Sequence, residues 1–434
     1  MDRTPPIDVA AFIETRLLTG YLRRVPILCV LLMLVEGIDA FGIGFVGPFL
    51  GKALDLTPER LGTIYTATVI ASLIGAAVLA PLSDRIGRRP MLLWTTAIMV
   101  PATVATALAP NFAALLVARF LIGVAFGAAF PVAIALVADY APAARRSMLL
   151  MMLNAGIGGG VVIAGYAAAI VIPTLGWQAF LYLSAGVSAL VGLLAWALLP
   201  ESLPLLVRSG RQAEALAIAR RIAPEDTPAA LAWHQPEGTG ATTPLALFER
   251  RTWLTTMLLW AMVSFTYVTI NFVSYWLPTA MMAAGLSIGK AGVAISTGKL
   301  CGLAGIFAIG WLADRFGLTR VMTVNFALTG MLILAIAGVP AGGVAIALLI
   351  AALSVDGANA SGGHALMATS YPSQLRATAF GWISGFARLI GGGAGAMLGA
   401  HLVGANWSIA AMALLFAATF AANAAIVAAI ARRG

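Results

Sequence analysis

The sequence predicts an all-α polytopic membrane protein, with twelve transmembrane helices in two six-helix pseudo-repeat bundles. Three observations carry this. The 434 residues are 61% hydrophobic and 10% charged, with a mean hydropathy of +0.96, too little polar surface to keep a chain of this length in water. Apolar runs long enough to cross a bilayer recur along the chain, at 25–50, 61–82, 90–109, 112–140, 147–172, 177–199, 252–284, 290–312, 321–338, 343–370, 376–403 and 407–431. Motifs of the first half also return in the second at a nearly constant offset.

The first run, 25–50, would be about 39 Å long as a helix at 1.5 Å per residue. It carries Glu36 and Asp39 near mid-depth. Residues three apart share a helix face. An ionisable group at the bilayer centre costs roughly 2.5–3.5 kcal/mol on insertion scales, which makes such residues functional by default. Two carboxylates side by side also repel each other, which favours one of them holding a proton.

The loop PLSDRIGRRP (81–90) joins spans two and three, and DYAPAARRS (139–147) follows span four. Between spans six and seven lies the one long hydrophilic stretch, 200–251. Its first part, Leu205 to Ile222, alternates apolar residues and Arg at helical spacing, as a helix lying on the membrane surface would. Its second part, 224–244, is rich in Pro, Gly and Thr, as a linker is. The chain thus divides into an N-terminal segment 1–24, a bundle 25–199, the stretch 200–251, a second bundle 252–431 and a short tail 432–434.

In the second half, GWLADRFGLTR (310–320) joins spans eight and nine, and SYPSQLRAT (370–378) follows span ten. Asp84 and Asp314 are 230 residues apart, Tyr140 and Tyr371 231, and Arg146 and Arg376 230. Matches in the same order and on the same side indicate a parallel duplication, an arrangement that in transporters puts the substrate between the halves near the midplane.

Charge orients the chain. Twenty of the 26 Lys and Arg lie on one side. They are Arg3, Arg16, Arg23 and Arg24 before span one, Arg85, Arg88, Arg89, Arg145 and Arg146 in the first-half loops, and Arg208, Arg211, Arg220, Arg221, Arg250 and Arg251 in the central stretch. Arg315, Arg320, Arg376, Arg432 and Arg433 complete the set. Only Lys52, Arg60 and Lys290 lie opposite, and Arg119, Lys299 and Arg388 fall inside spans. The positive-inside rule then places both termini in the cytoplasm, and the chain is expected in the cell membrane. It also accounts for the net charge of +9 without a nucleic-acid partner. Cys29 and Cys301 sit in apolar runs, so no disulfide framework is expected. Residues 1–24 mix acids and bases without an apolar core, so no cleavable signal peptide is expected. The absence of H-E-x-x-H, G-x-S-x-G and a phosphate loop argues against an enzyme.

PLSDRIGRRP with its partial copy GWLADRFGLTR, and RFLIGVAFG (119–127), resemble the paired cytoplasmic loop motif and the fourth-helix motif of the major facilitator superfamily. More narrowly, EGIDAFGIG (36–44), DYAPAARRS, SYWLPT (274–279), SYPSQLRAT and GFARLIGGGAG (385–395) resemble the aromatic acid:proton symporter family. The loop motif has Ala80 where that superfamily usually has Gly, and Glu36 stands where the symporters have Asp. The resemblance implies that spans 1, 4, 7 and 10 line a central cavity with 2, 5, 8 and 11 flanking it. It also implies a small benzoate-like substrate and first-helix acids that couple its transport to protons, with no cofactor beyond that coupling ion and no metal.

Six charges lie within spans, Glu36, Asp39 and Asp356 against Arg119, Lys299 and Arg388, and they sum to zero. All fall on cavity-lining or flanking helices, so they are expected to face a hydrated cavity or one another. Glu36, Asp39, Asp356 and Arg119 are assigned to proton coupling. A carboxylate needs a cation, and Arg offers a planar fork, which puts Arg388 first and Lys299 second. Tyr267, Asn271, Tyr275 and Trp276 of span seven, Trp382 of span eleven and His364 of span ten are the further candidates for contacting the ring and its hydroxyls. Aromatic stripes in membrane helices also serve packing and the interfacial belt.

The loop residues Asp84, Arg85, Gly87, Arg88, Asp139, Arg145, Asp314 and Arg315 read as gates. Asp84 is expected to accept bonds from a helix N-terminus in the other half, and Arg85 or Arg88 to pair with Asp139. Breaking such contacts would let the halves rock. The reading is a monomeric proton-coupled symporter importing an aromatic carboxylate by alternating access. Its rivals are a symporter of another organic acid (nicotinate or a sugar acid) and a proton-driven drug exporter. Span five has the glycines of an exporter without the Pro, and no soluble signalling domain suggests a receptor.

Overall fold

The computed structural model describes residues 7–14, 20–233, 244–249, 252–340 and 342–432. Arg3, Arg16, Arg250, Arg251 and Arg433 of the charge count, and residues 234–243 of the linker, lie outside them. Among the described residues, twelve helices are long and apolar enough to cross a membrane. In the first half they are span 1 (Gly20–Ala53), span 2 (Pro58–Ile86), span 3 (Arg88–Ala107), span 4 (Phe112–Tyr140), span 5 (Ala143–Leu175) and span 6 (Trp177–Leu198). In the second they are span 7 (Trp253–Tyr275), span 8 (Ile288–Phe316), span 9 (Leu318–Ala337), span 10 (Gly343–Ser370), span 11 (Thr378–Gly404) and span 12 (Ile409–Ala431).

The helix ends follow local chemistry. Thr57 caps span 2 and Ser287 caps span 8, each accepting a backbone N–H three residues on, which satisfies donors that no helix can pair internally. At the opposite, arginine-rich end, Gly87 (φ 117°) and Gly317 (φ 87°) turn the loops between spans 2 and 3 and between spans 8 and 9. Only glycine adopts such a conformation without strain.

Three helices depart from plain α-geometry. Span 2 contains a π-helical turn at Gly75–Leu79, beside span 4. Span 7 ends at Tyr275 and is followed, after Trp276, by the short helix Leu277–Ala283 with Pro278 in its first turn. Span 10 breaks at Gly357 into Gly343–Asp356 and Asn359–Ser370.

The expected surface helix differs. It forms two pieces, Leu203–Arg208 and Gln212–Ile222, parted by Gly210 at φ 75°. Leu203, Leu206, Ala215 and Ala219 are buried in the core of the first half, so these helices pack on protein rather than lie on lipid. The strand Ile7–Asp8 pairs in parallel with Leu231–Ala232, and the Glu14 carboxylate accepts from the Ala143 N–H at the start of span 5 (2.8 Å). Residues 7–14 and 201–232 thus pack onto the first half.

The apolar side chains form three cores. One belongs to the arginine-rich end of the first half, with Leu28, Met99, Leu136 and Leu206 among its members. Another belongs to the same end of the second half, with Met262, Phe326, Ile383 and Phe420. The third spans both halves at the arginine-poor end, joining Phe45 and Tyr65 to Trp276, Ile295 and Ala400. The halves therefore share a core at one end and separate into independent cores at the other.

Candidate functional site

Where the halves part there is a cavity of about 320 Å³. Its walls come from spans 1, 2, 4 and 5 of one half and 7, 8, 10 and 11 of the other, and from none of spans 3, 6, 9 and 12. One wall is aromatic. Tyr275 stacks on Tyr65 (centroids 4.8 Å apart) and on Phe41 (6.1 Å), and Phe41 meets Phe126 edge-on (5.9 Å). Asn271 lines it too, with its amide donating to the Tyr267 carbonyl (2.9 Å).

The polar wall carries Lys299, Asp356, His364 and Arg388. The Arg388 Nε and Nη2 both donate to the Tyr267 hydroxyl at 3.3 Å, and the guanidinium carbon sits 5.6 Å from that ring's centre. Tyr267 thereby fixes the fork, and Nη1 has no partner among the described residues. Lys299 likewise has none. His364 packs against Phe380 (5.0 Å).

Asp356 stands where span 10 breaks. Its Oδ1 accepts from the Asn359 amide (3.1 Å), while the Asn325 amide of span 9 reaches the Val355 carbonyl (3.1 Å) and the Asn359 side-chain oxygen (2.7 Å). The Asn325 bond gives the Val355 carbonyl beside the break a donor, as a discontinuous helix beside a cavity requires.

The first-half charges lie elsewhere. Asp39 accepts from Ser184 (2.5 Å) and Ser188 (2.9 Å), one hydroxyl per carboxylate oxygen, both on span 6. Arg119 is fully buried, and its two Nη groups donate to the carbonyls of Asp39 and Ala40 (3.3 Å each). Glu36 is 1% exposed, and its Oε2 has no hydrogen-bond partner among the described residues. None of the three lines the cavity, so the six intramembrane charges form two groups rather than one.

Two candidate aromatics fall outside the cavity lining. The Trp276 indole is buried, donates to the Ala396 carbonyl (2.8 Å) and packs edge-on against Tyr65. It is a packing residue of the shared core. Trp382 is 42% exposed and stacks on Phe386 at the outer surface. The amphipathic indole suits either position, so its identity alone did not distinguish them.

At the arginine-rich end, Arg88 pairs with Asp139 and also donates to the Ala135 carbonyl (2.8 Å) and to Asp84 (3.5 Å). Ser202 donates to Asp139, and Glu201 Oε1 accepts the N–H groups of Arg88 (3.0 Å), Arg89 (3.2 Å) and Ser202 (2.8 Å). A Cβ on Gly87 would collide with the Glu201 carboxylate. The network stays within the first half. Asp84 has its bond to Arg88 and, among the described residues, none to the other half, contrary to the expected cross-half contact. Arg85 and Arg145 are exposed, and neither side chain has a partner among the described residues. In the second-half copy, Asp314 is exposed and Arg315 lies over the Trp311 and Phe316 rings (5.8 and 5.7 Å).

Sequence reasoning did not single out Phe41, Phe126, Ser184, Ser188, Asn325, Asn359 or Glu201. Glu201 was the most accessible, as an acid between Pro200 and Ser202 facing an arginine-rich loop. The serines and Asn325 sit on spans 6 and 9, outside the helices expected to matter.

Twelve spans in two similar halves around one central cavity define a membrane transporter. The chain belongs to the Major Facilitator Superfamily, whose profile matches residues 29–396. It is similar to the 4-hydroxybenzoate transporter PcaK of Acinetobacter baylyi, at 33% identity over 93% of this chain and 89% of that one. It is also similar to the gallate transporter of Pseudomonas putida, at 31% identity over 93% and 90%. The fold matches that of a bacterial homologue of the human lysosomal transporter Spinster, crystallised inward-facing and unoccupied, with a TM-score of 0.70, 16% identity and 96% of both chains covered.

Proposed function

We propose that the protein is a proton-coupled symporter that imports an aromatic carboxylate. The observation that carries this is the cavity, where an aromatic wall faces a cationic one at the interface of the halves. The names of the relatives support the same substrate class. The ring would lie against Phe41, Phe126 and Tyr275. The carboxylate would take the open edge of Arg388, with Lys299 and His364 beside it.

The charges divide in a way that fits coupling. Lys299, Arg388 and Asp356 leave the cavity at +1 before a ligand arrives, so a monoanion neutralises it. Glu36, Asp39 and Arg119 sum to −1 when both acids are ionised, so a single proton neutralises that group. Asp39 is satisfied as an anion by two hydroxyls with Arg119 beside it, whereas a Glu36 oxygen has no partner. Glu36 is accordingly the proton carrier, and Asp39 the fixed charge that holds span 1 against span 6.

With the arginine-rich end in the cytoplasm, the separated cores correspond to an inward-facing state, and the protein sits in the cell membrane with both termini inside. The Arg88–Asp139 network keeps its half rigid while the halves rock. The test is uptake of labelled 4-hydroxybenzoate, gallate, benzoate and nicotinate into proteoliposomes with the interior alkaline. Accumulation of a hydroxybenzoate that a protonophore abolishes is expected. Uptake indifferent to the pH gradient would refute coupling, and preference for nicotinate would move the substrate class.

A further inference from the structure

A second cavity, of about 150 Å³, lies wholly within the second half, between spans 7, 9, 10 and 12 near the arginine-poor end. Its lining is apolar, with Phe272, Met281, Ile346, Leu349 and Phe416 prominent, and its only polar members are Thr269 and Asp356. The Thr269 hydroxyl is already used on the Phe265 carbonyl (3.2 Å). Asp356 Oδ1 takes the Asn359 amide (3.1 Å), and its other oxygen has no partner among the described residues.

A closed apolar cavity of about 150 Å³ takes up benzene, and this partly open one offers the same volume. This one differs by having a single hydrogen-bond acceptor at its edge. We infer that it is a binding site for a neutral monocyclic aromatic carrying one hydroxyl, a phenol. The ring would lie against Phe272 and Phe416, whose own rings are 4.4 Å apart, and the hydroxyl would donate to Asp356. An anion is excluded because no cation lines this cavity and a carboxylate does, so a benzoate would meet repulsion and an unpaid desolvation cost. The two cavities thus select different charge states of similar rings, neutral here and anionic in the centre.

Asp356, the residue before the break in span 10, lines both cavities, and Gly357 lines the central one. A phenol seated here would bridge spans 7, 10 and 12 and restrain the break, slowing transport without competing for the central cavity. The site stands on its own geometry and does not depend on the substrate proposed above.

The experiment uses the purified full chain. Phenol is expected to raise the melting temperature saturably and to lower the maximum uptake rate with KM unchanged. Ala413→Phe and Ala345→Phe fill the cavity from different spans, and either should abolish the phenol-dependent rise. Crystals soaked in 4-iodophenol should show iodine beside Phe272 and Phe416. An unchanged phenol response in both filled variants, iodine only beside Arg388, or inhibition that raises KM alone would overturn the proposal. Should both variants fail to fold, the iodine position decides.

Discussion

Arg388 gives the sharpest test of the central cavity. Its guanidinium is held by Tyr267 through two 3.3 Å bonds, so the fork is in place before the substrate arrives and little entropy is lost on binding. Removing one partner of a buried, hydrogen-bonded charge pair costs about 2–5 kcal/mol. At about 1.4 kcal/mol per decade, Arg388→Ala should therefore weaken substrate binding by at least about 30-fold. Lys299 remains in the same wall and keeps the loss near the lower bound. Arg388→Lys retains the charge and loses the fork, so about one charge-assisted bond, roughly 1.5 kcal/mol or tenfold, should go. Tyr267→Phe leaves the cation but frees it, with a loss of about 1 kcal/mol, or fivefold. Equilibrium binding of labelled 4-hydroxybenzoate to the purified variants orders the three. Unchanged affinity in Arg388→Ala would refute the assignment and move the carboxylate to Lys299.

Other predictions follow from the two charge groups and the loop network. Glu36→Gln should abolish pH-driven accumulation yet leave counterflow exchange, whereas Asp39→Asn should slow turnover and keep the gradient dependence; the reverse pattern in proteoliposomes would exchange the two roles. One proton per monoanion moves no net charge. A pH step should then drive uptake by about 1.4 kcal/mol per unit, while a valinomycin-set potential adds nothing; voltage-driven accumulation, worth about 2.3 kcal/mol per 100 mV per extra charge, would refute the stoichiometry. Glu201→Ala strips the N–H groups at the start of span 3 of their acceptor and should destabilise the protein by about 1–3 kcal/mol, read as a lower melting temperature with substrate affinity nearly intact. Gly87→Ala should be at least as damaging, because its φ and the Glu201 carboxylate both exclude a side chain.

Much of this was written in the sequence because the bilayer simplifies the code. Every backbone group must bond within its own helix, so apolar length alone located the spans, and the repeat of Asp84 in Asp314 located the halves. Arg388, Tyr267, Asn271 and Tyr275 reach the cavity as expected from their helices. What the sequence did not reveal depends on rotation about the helix axis. Glu36 and Asp39 were expected to face a hydrated cavity or the other buried charges; span 1 turns them into its own half, and Ala40 and Phe41 face the cavity. The break at Gly357 was hidden because the donor to the neighbouring Val355 carbonyl is Asn325, thirty residues before Val355 and on another span.

That rotation changes how the proposed coupling would work. Had all six charges shared one cavity, proton and substrate would attract each other directly. Here Glu36 and Asp39 lie outside the cavity, and the link between them and its aromatic wall is span 1 itself. Arg119 grips the carbonyls of Asp39 and Ala40, and Ala40 and Phe41 form part of the cavity wall. Span 1 cannot shift freely, because a Cβ on Gly37 would strike the Ile157 backbone and one on Gly44 the Ser274 backbone of the other half. Closely packed backbones move as units rather than yield locally. Neutralising Glu36 alters the balance of charge on one face of this helix, and another face presents Phe41 to the cavity. Reciprocity then requires that a bound aromatic acid raise the proton affinity of the first-half acids. The coupling would pass through helix position, so Gly44→Ala, which wedges span 1 away from span 7, should loosen proton from substrate more than it weakens either alone. Proton uptake measured on adding substrate, near one per site in the parent protein, should fall well below one in this variant; an unchanged ratio would return the coupling to direct attraction between charges.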